Sequence, residues 1–286
     1  MYIVSGATGH TGSAVAKTLL ERNLPVRVIV RNREKAAELE KLGAEIFVAD
    51  LHDADGLTEA LKGGKALYLM NPPSYLSEDH FAELEKVIAA FQTAIANSAL
   101  EKIVVLSSVG GHLESGTGNI LTAYKLEKSF ENLDIPVTFL RAGGFMENWL
   151  PVLETAKTQG ILPTFYQPID KKFPQVAALD IGRVAAEEML EKTDGKKVVE
   201  LAGFWLSPSE LAEIIGKVLG KEVKAFAVPQ EQWLEIVKAH NSPKNAESLV
   251  EMFKGFNSGY ITFETQENLE GKFTFEQFVR EAFENN

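Results

Sequence analysis

The chain has no cysteine in its 286 residues. That excludes a disulfide framework, a thiolate nucleophile and a zinc–thiolate centre, and it suits a reducing, cytoplasmic setting. No apolar run approaches the ~20 residues that a membrane-spanning helix needs, and the first residues do not form a signal-like segment. Positive charge is scarce. The 29 Lys and Arg stand against 40 Asp and Glu, a formal net charge of −11, and they form no stripe. Direct nucleic-acid binding needs clustered cations over phosphates, so neither nucleic acid nor membrane is expected as a partner. The five histidines (His10, His52, His80, His112 and His240) lack metal-ligand spacing, and no metal site is expected. With 45% hydrophobic and 24% charged residues and no repeats, the composition is that of an ordinary folded protein with room for a large core.

What is present begins at once. Tyr2-Ile3-Val4-Ser5 reads as a strand, a helical pattern runs from about Gly12 to Arg22, and between them lies Gly6-Ala7-Thr8-Gly9-His10-Thr11-Gly12. A glycine-rich turn in that setting brings backbone N–H groups and the positive end of a helix to one point, a cradle for phosphate. Gly6 allows the tight turn, Gly9 lets phosphate approach the backbone, and Gly12 lets the helix pack close to the strand. Thr8, His10 and Thr11 complete the candidate contacts. The spacing is Gly-x-x-Gly-x-x-Gly rather than the commonest dinucleotide fingerprint, so its weight comes from the strand before it and the helix after it.

The strand–helix alternation continues. Apolar runs at 26–31, 45–50, 66–70, 103–106 and 137–141 are separated by helical patterns at 33–42, 53–61, 78–98 and 121–133. Continuous Val, Ile and Leu runs signal strands buried on both faces, so the expected fold is α/β, a doubly wound parallel Rossmann sheet. Residues 177–203 are expected to return to the domain formed by 1–147. The segments 148–176 and 204–286 form a smaller, intertwined capping lobe over the cleft.

Ligands gather at the C-terminal ends of such strands. Arg31, Asp50, Asn71 and Ser107 stand there, with Leu51, Met70 and Pro72 beside them. The end of the second strand selects the dinucleotide: an acidic residue there holds a free ribose 2′-hydroxyl. Here it is Arg31, and Arg31, Arg33 and Lys35 place three cations where a 2′-phosphate lies. NADP(H) is expected, with NAD(H) as second choice. Asp50 is a candidate acceptor for the adenine amino group.

Five segments carry a resemblance: Gly6 to Gly12, Leu106-Ser107-Ser108-Val109-Gly110, Ser115-Gly116-Thr117-Gly118, Leu140-Arg141-Ala142-Gly143-Gly144-Phe145-Met146-Glu147-Asn148 and Ala178-Leu179-Asp180-Ile181-Gly182. In this order, over nearly the whole chain, the sequence resembles the NmrA-like proteins, atypical short-chain dehydrogenases. The resemblance implies an NADP(H)-dependent oxidoreductase passing hydride to a small quinone-like or carbonyl acceptor. The alternative it implies is an NADP(H)-sensing regulator with little or no turnover, acting through a protein partner. A homodimer is a further expectation.

Two sets of residues bear on chemistry. Tyr124 and Lys128 have the Tyr-x-x-x-Lys spacing in which a lysine eases proton transfer at a phenol. The same helix turns Ala123, Leu126, Phe130 and Leu133 to one side, which makes a solvent-facing pair the other reading. Many NmrA-like proteins carry histidine at the position of Tyr124. Gly144, Phe145, Met146, Asn148 and Trp149 follow the sixth strand, beside the expected nicotinamide: Gly144 and Phe145 are candidate cofactor contacts, Phe145, Met146, Asn148 and Trp149 are expected to wall a planar acceptor, and Tyr75 after the double proline is a candidate lid contact.

Overall fold

The computed structural model describes residues 1–284. The chain runs β1 (Tyr2–Ser5), α1 (His10–Glu21), β2 (Val26–Val30), α2 (Ala37–Lys41), β3 (Glu45–Val48), α3 (Ala54–Leu61), β4 (Ala66–Leu69), α4 (His80–Ala96), β5 (Lys102–Ser108), α5 (Leu121–Phe130) and β6 (Val137–Ala142). After these come β7 (Gly144–Phe145), α6 (Leu150–Gln159), β8 (Ile161–Thr164), β9 (Phe173–Val176), α7 (Ala178–Leu190) and β10 (Lys196–Leu206). The chain closes with α8 (Pro208–Leu219), β11 (Lys224–Ala227), α9 (Gln230–Lys238), α10 (Pro243–Ser258), β12 (Leu269–Glu270) and α11 (Phe275–Glu284). No helix among the described residues is long and apolar enough to cross a membrane.

Strand order is β3-β2-β1-β4-β5-β6-β10, parallel throughout, and the order reverses between β1 and β4, the point at which such sheets form a ligand crevice. Burial follows the pattern read from the sequence, since β4 and β6 are buried at every position. One face packs Val4, Tyr68 and Leu140 against Val15 and Leu19 of α1 and Ile181 of α7. The other packs Ile3, Leu67 and Val105 against Leu57 of α3, Phe91 of α4 and Phe130 of α5. Small residues let α1 and α7 approach. A Cβ on Gly182 would lie 2.3 Å from the Ala14 Cβ, which leaves no room for a larger residue.

β10 is shared between two environments. Residues 196–201 pair in parallel with β6, while Phe204–Leu206 pair antiparallel with β9, so one strand runs on from the parallel sheet into the C-terminal part. That part has its own core, in which Trp149, Leu153, Leu211, Ile215 and Phe275 are buried. Asp180 at the start of α7 binds it back: buried, it accepts from the backbone N–H groups of Lys272 and Phe273 at 2.8 Å.

A charge cluster ties the rim strands together. Arg141 on β6 is bidentate to Glu127 of α5 and reaches Glu200 of β10 and Glu264, all but Glu264 deeply buried. Glu200 in turn accepts from the backbone N–H groups of Glu264 and Thr265. His112, Glu200 and Glu264 come together here, with the Arg141 guanidinium already bound to both carboxylates.

Candidate active site

The glycine turn has the geometry that a bound anion requires. Gly6 has a φ of +64°, and a Cβ there would lie 2.6 Å from the Met70 sulfur. Gly12 faces backbone, its Cβ position 2.4 Å from the Gly6 carbonyl oxygen, so α1 seats directly on the turn. Gly9 differs from both. A Cβ there meets only that carbonyl oxygen at 3.4 Å and otherwise points into open space. Gly9 is also the N-cap of α1 with no side-chain cap and no acid in the first turn, and the N–H groups of His10, Thr11 and Gly12 have no acceptor among the described residues. These free donors at the positive helix end are what a pyrophosphate would fill.

At the end of β2, Arg33 is ion-paired with Glu40, whereas Arg31 and Lys35 are exposed and pair with no carboxylate among the described residues. Asp50 accepts from the backbone N–H of His52 at 2.9 Å and faces its ring, and the backbone hydrogen bond first, then the imidazole and Arg31, hold its carboxyl below the usual range. Leu51 is buried in the core under α3 and α4. Thr8 and His10 are exposed on the turn, and Thr11 is buried beneath it.

A cleft of about 320 Å³ runs along the strand ends, lined by Met70, whose sulfur faces Gly6, and by Asn71, Leu106, Ser107, Gly144 and Phe145. Pro72 lines neither this cleft nor the cavity beyond it, although Pro73 lines both. The Ser107 hydroxyl donates to Glu127, whose carboxylate is held by Arg141.

The cleft opens into a cavity of about 740 Å³. Its walls come from Tyr75, Phe145, Asn148, Trp149, Phe165, Tyr166, Phe253 and neighbours in seven separate stretches of chain. Trp149 is oriented by its indole N–H, which donates to Gln175 at 2.8 Å. The loop bearing Tyr75 is fastened to α10: the Tyr75 carbonyl accepts from the Ser242 N–H at 2.9 Å and from the Asn245 amide at 3.3 Å, and Lys244 pairs with Asp79. His80 at the start of α4 is buried on this wall with neither ring nitrogen hydrogen-bonded among the described residues, and burial lowers its pKa.

Two sequence expectations come out differently. Met146 is fully buried in the core with Leu153 and Ala177 and lines neither space, and Trp149, three residues on, reaches the cavity in its stead. Tyr124 and Lys128 are not brought to the cleft. α5 buries Ala123, Leu126, Glu127 and Phe130, and at ~100° per residue positions 124 and 128 stand off that face. The Tyr124 hydroxyl donates to Glu114 at 3.3 Å, and Lys128 pairs with exposed Glu131. Glu127 takes the inward place between them.

A model of the NmrA-like family matches residues 2–278. The chain belongs to the NmrA-like family. NAD(P)H azoreductase of Xenophilus azovorans is 25% identical to it over 256 residues, 88% of this chain and 86% of that protein. Quinone oxidoreductase 2 of Escherichia coli is 28% identical over 265 residues, 91% and 89% of the two chains. The crystal structure of the E. coli NADPH-dependent quinone oxidoreductase QOR2 with NADPH has a TM-score of 0.81 at 26% identity, covering 99% of this chain and all 100% of that one. In this NmrA-like chain Tyr166, Gln175, Asn245 and Phe253 went unread in the sequence as cavity residues. An aromatic stretch between 145 and 173 was the one signal that pointed toward any of them.

Proposed function

We propose that the chain is an NAD(P)H-dependent oxidoreductase whose acceptor is an uncharged aromatic compound of quinone type. The observation that carries this reading is that the strand-end cleft shares its lining with a large aromatic cavity whose wall has no Asp, Glu, Lys or Arg among the described residues. An ionised acceptor would lose its hydration there without a partner, whereas a planar neutral one stacks on Trp149, Phe145 and Phe165. A volume of about 740 Å³ admits a molecule of two or three fused rings.

The free N–H groups of His10, Thr11 and Gly12 would hold the pyrophosphate, and Arg31 with Lys35 would hold a 2′-phosphate, which favours NADP(H). Ser107, Gly144 and Phe145 would border the nicotinamide end. The bound dinucleotide supplies hydride to an electrophilic acceptor. The chain's own part is to orient the acceptor, exclude water and hold charge as it develops.

The test is a screen of purified protein with NADPH and paired acceptors: 1,4-naphthoquinone, azobenzene and a conjugated aldehyde, each beside its sulfonated or carboxylated counterpart. Turnover of the neutral quinone above its charged partner supports the reading. Turnover of none of them, or preference for the anions, contradicts it.

A further inference from the structure

The residues shared by the cleft and the cavity mark the passage between the dinucleotide and the acceptor. Those with polar side chains are Asn71, Tyr75, Asn119, Thr122, Asn148 and Tyr166. Asn119 donates to Asn245, and the Thr122 hydroxyl donates to the Asn119 carbonyl. Tyr75 is on the outer lip, 54% exposed. Tyr166 is different. Its ring is held between Phe173, Phe253 and Phe256 at centroid distances of 4.5, 5.3 and 5.7 Å, so the direction of its hydroxyl is set by packing. That hydroxyl makes no hydrogen bond within the chain among the described residues. It lies 3.5 Å from where a Cβ on Gly144 would sit, beside the backbone at the strand-end rim, and glycine at 144 leaves the approach open.

We infer that Tyr166 is a catalytic residue whose hydroxyl donates a hydrogen bond to the carbonyl oxygen of the acceptor at the passage between cleft and cavity. The inference rests on the reductase reading above. In the reaction the quinone gains two electrons and one hydrogen nucleus from the reduced nicotinamide, which leaves oxidised, and the remaining charged oxygen takes one proton from water. Tyr166 keeps its own proton and stabilises that oxygen while it is charged. Burial raises the phenol pKa and no lysine or arginine among the described residues lines the cavity to lower it, in keeping with a group that donates a hydrogen bond without ionising. The Tyr-x-x-x-Lys pair on α5 makes no such contact, so the donor comes from the capping segment after β8.

The test is Tyr166→Phe, which keeps the ring packing and removes the hydroxyl. The first readout needs no dinucleotide: the infrared carbonyl stretch of 1,4-naphthoquinone bound to the protein should move to lower frequency in the wild type and stay at its free value in Tyr166→Phe. The second is kinetic, a kcat loss on the order of 10²-fold with NADPH affinity and melting temperature unchanged. Wild-type turnover with an unshifted carbonyl band, or Tyr166→Phe matching the wild type in both readouts, overturns the inference and leaves the reductase reading standing. A wild type that neither binds nor reduces the quinone overturns both.

Discussion

Gly9→Val separates the cradle's ligand role from its structural role. Gly9 has φ −95° and ψ 172°, an extended conformation that valine adopts freely, and its Cβ position meets nothing but the Gly6 carbonyl oxygen at 3.4 Å. Stability should therefore stay within about 0.5 kcal/mol of the wild type. The branched side chain would stand over the N–H groups of His10, Thr11 and Gly12, where the anion is expected. Loss of two charge-assisted hydrogen bonds at about 1.5–3 kcal/mol each is about 3–6 kcal/mol in all. NADPH affinity should fall by roughly 10²- to 10⁴-fold. Gly12→Ala is the contrasting variant, because its Cβ would lie 2.4 Å from the Gly6 carbonyl oxygen and 2.8 Å from that of Ser5, both backbone. It should lose about 1–3 kcal/mol of stability. Titration calorimetry with NADPH and urea unfolding read the two effects. A Gly9→Val protein that binds NADPH as tightly as the wild type would show that the anion does not sit on these N–H groups.

Other consequences follow from the same geometry. Arg31→Ala should weaken NADPH by about 2 kcal/mol and barely affect NADH in the same calorimeter, since Arg31 is free for a 2′-phosphate; equal losses would assign it to the shared adenosine part. Tyr124→Phe should keep kcat and KM within about twofold, because its hydroxyl serves exposed Glu114; a loss on the order of 10²-fold would restore the Tyr-x-x-x-Lys mechanism. Arg141→Met would strand Glu127 and Glu200, whose side chains are 9% and 3% exposed, and should lower the unfolding free energy by about 3–5 kcal/mol; an unfolding curve matching the wild type would show that the cluster contributes little.

The parallel sheet was legible because its central strands are buried and its helices one-sided: Ala66–Leu69 and Val137–Ala142 are buried at every position, Thr138 and Arg141 included. The glycine turn was legible because glycine there answers local steric needs, at Gly6 against Met70 and at Gly12 against backbone. Helical phase likewise anticipated that Tyr124 and Lys128 leave the apolar face of α5, whereas the spacing motif by itself pointed the other way. The cavity was harder to read. Its walls come from loop 71–75, the turn after β6, the segment after β8 and α10, and an aromatic such as Phe253 has no local pattern separating a cavity wall from a core. Met146 shows the same difficulty from the other side, an apolar residue beside the cleft in sequence that packs beneath it in space. Eleven-residue β10 pairs with β6 in its first half and with β9 in its second, and so runs across the boundary expected at residue 203.

On the function proposed above, a reduced dinucleotide on the glycine turn passes its electrons to a neutral aromatic acceptor in the cavity beyond the strand-end cleft. A single-turnover experiment tests it most directly: protein loaded with one equivalent of NADPH is mixed with 1,4-naphthoquinone, and reduced nicotinamide and hydroquinone are followed together. The account predicts stoichiometric loss of the one and gain of the other, both slowed in Tyr166→Phe. NADPH that binds tightly yet stays reduced with the quinone present would contradict it and favour a protein that senses the dinucleotide without consuming it.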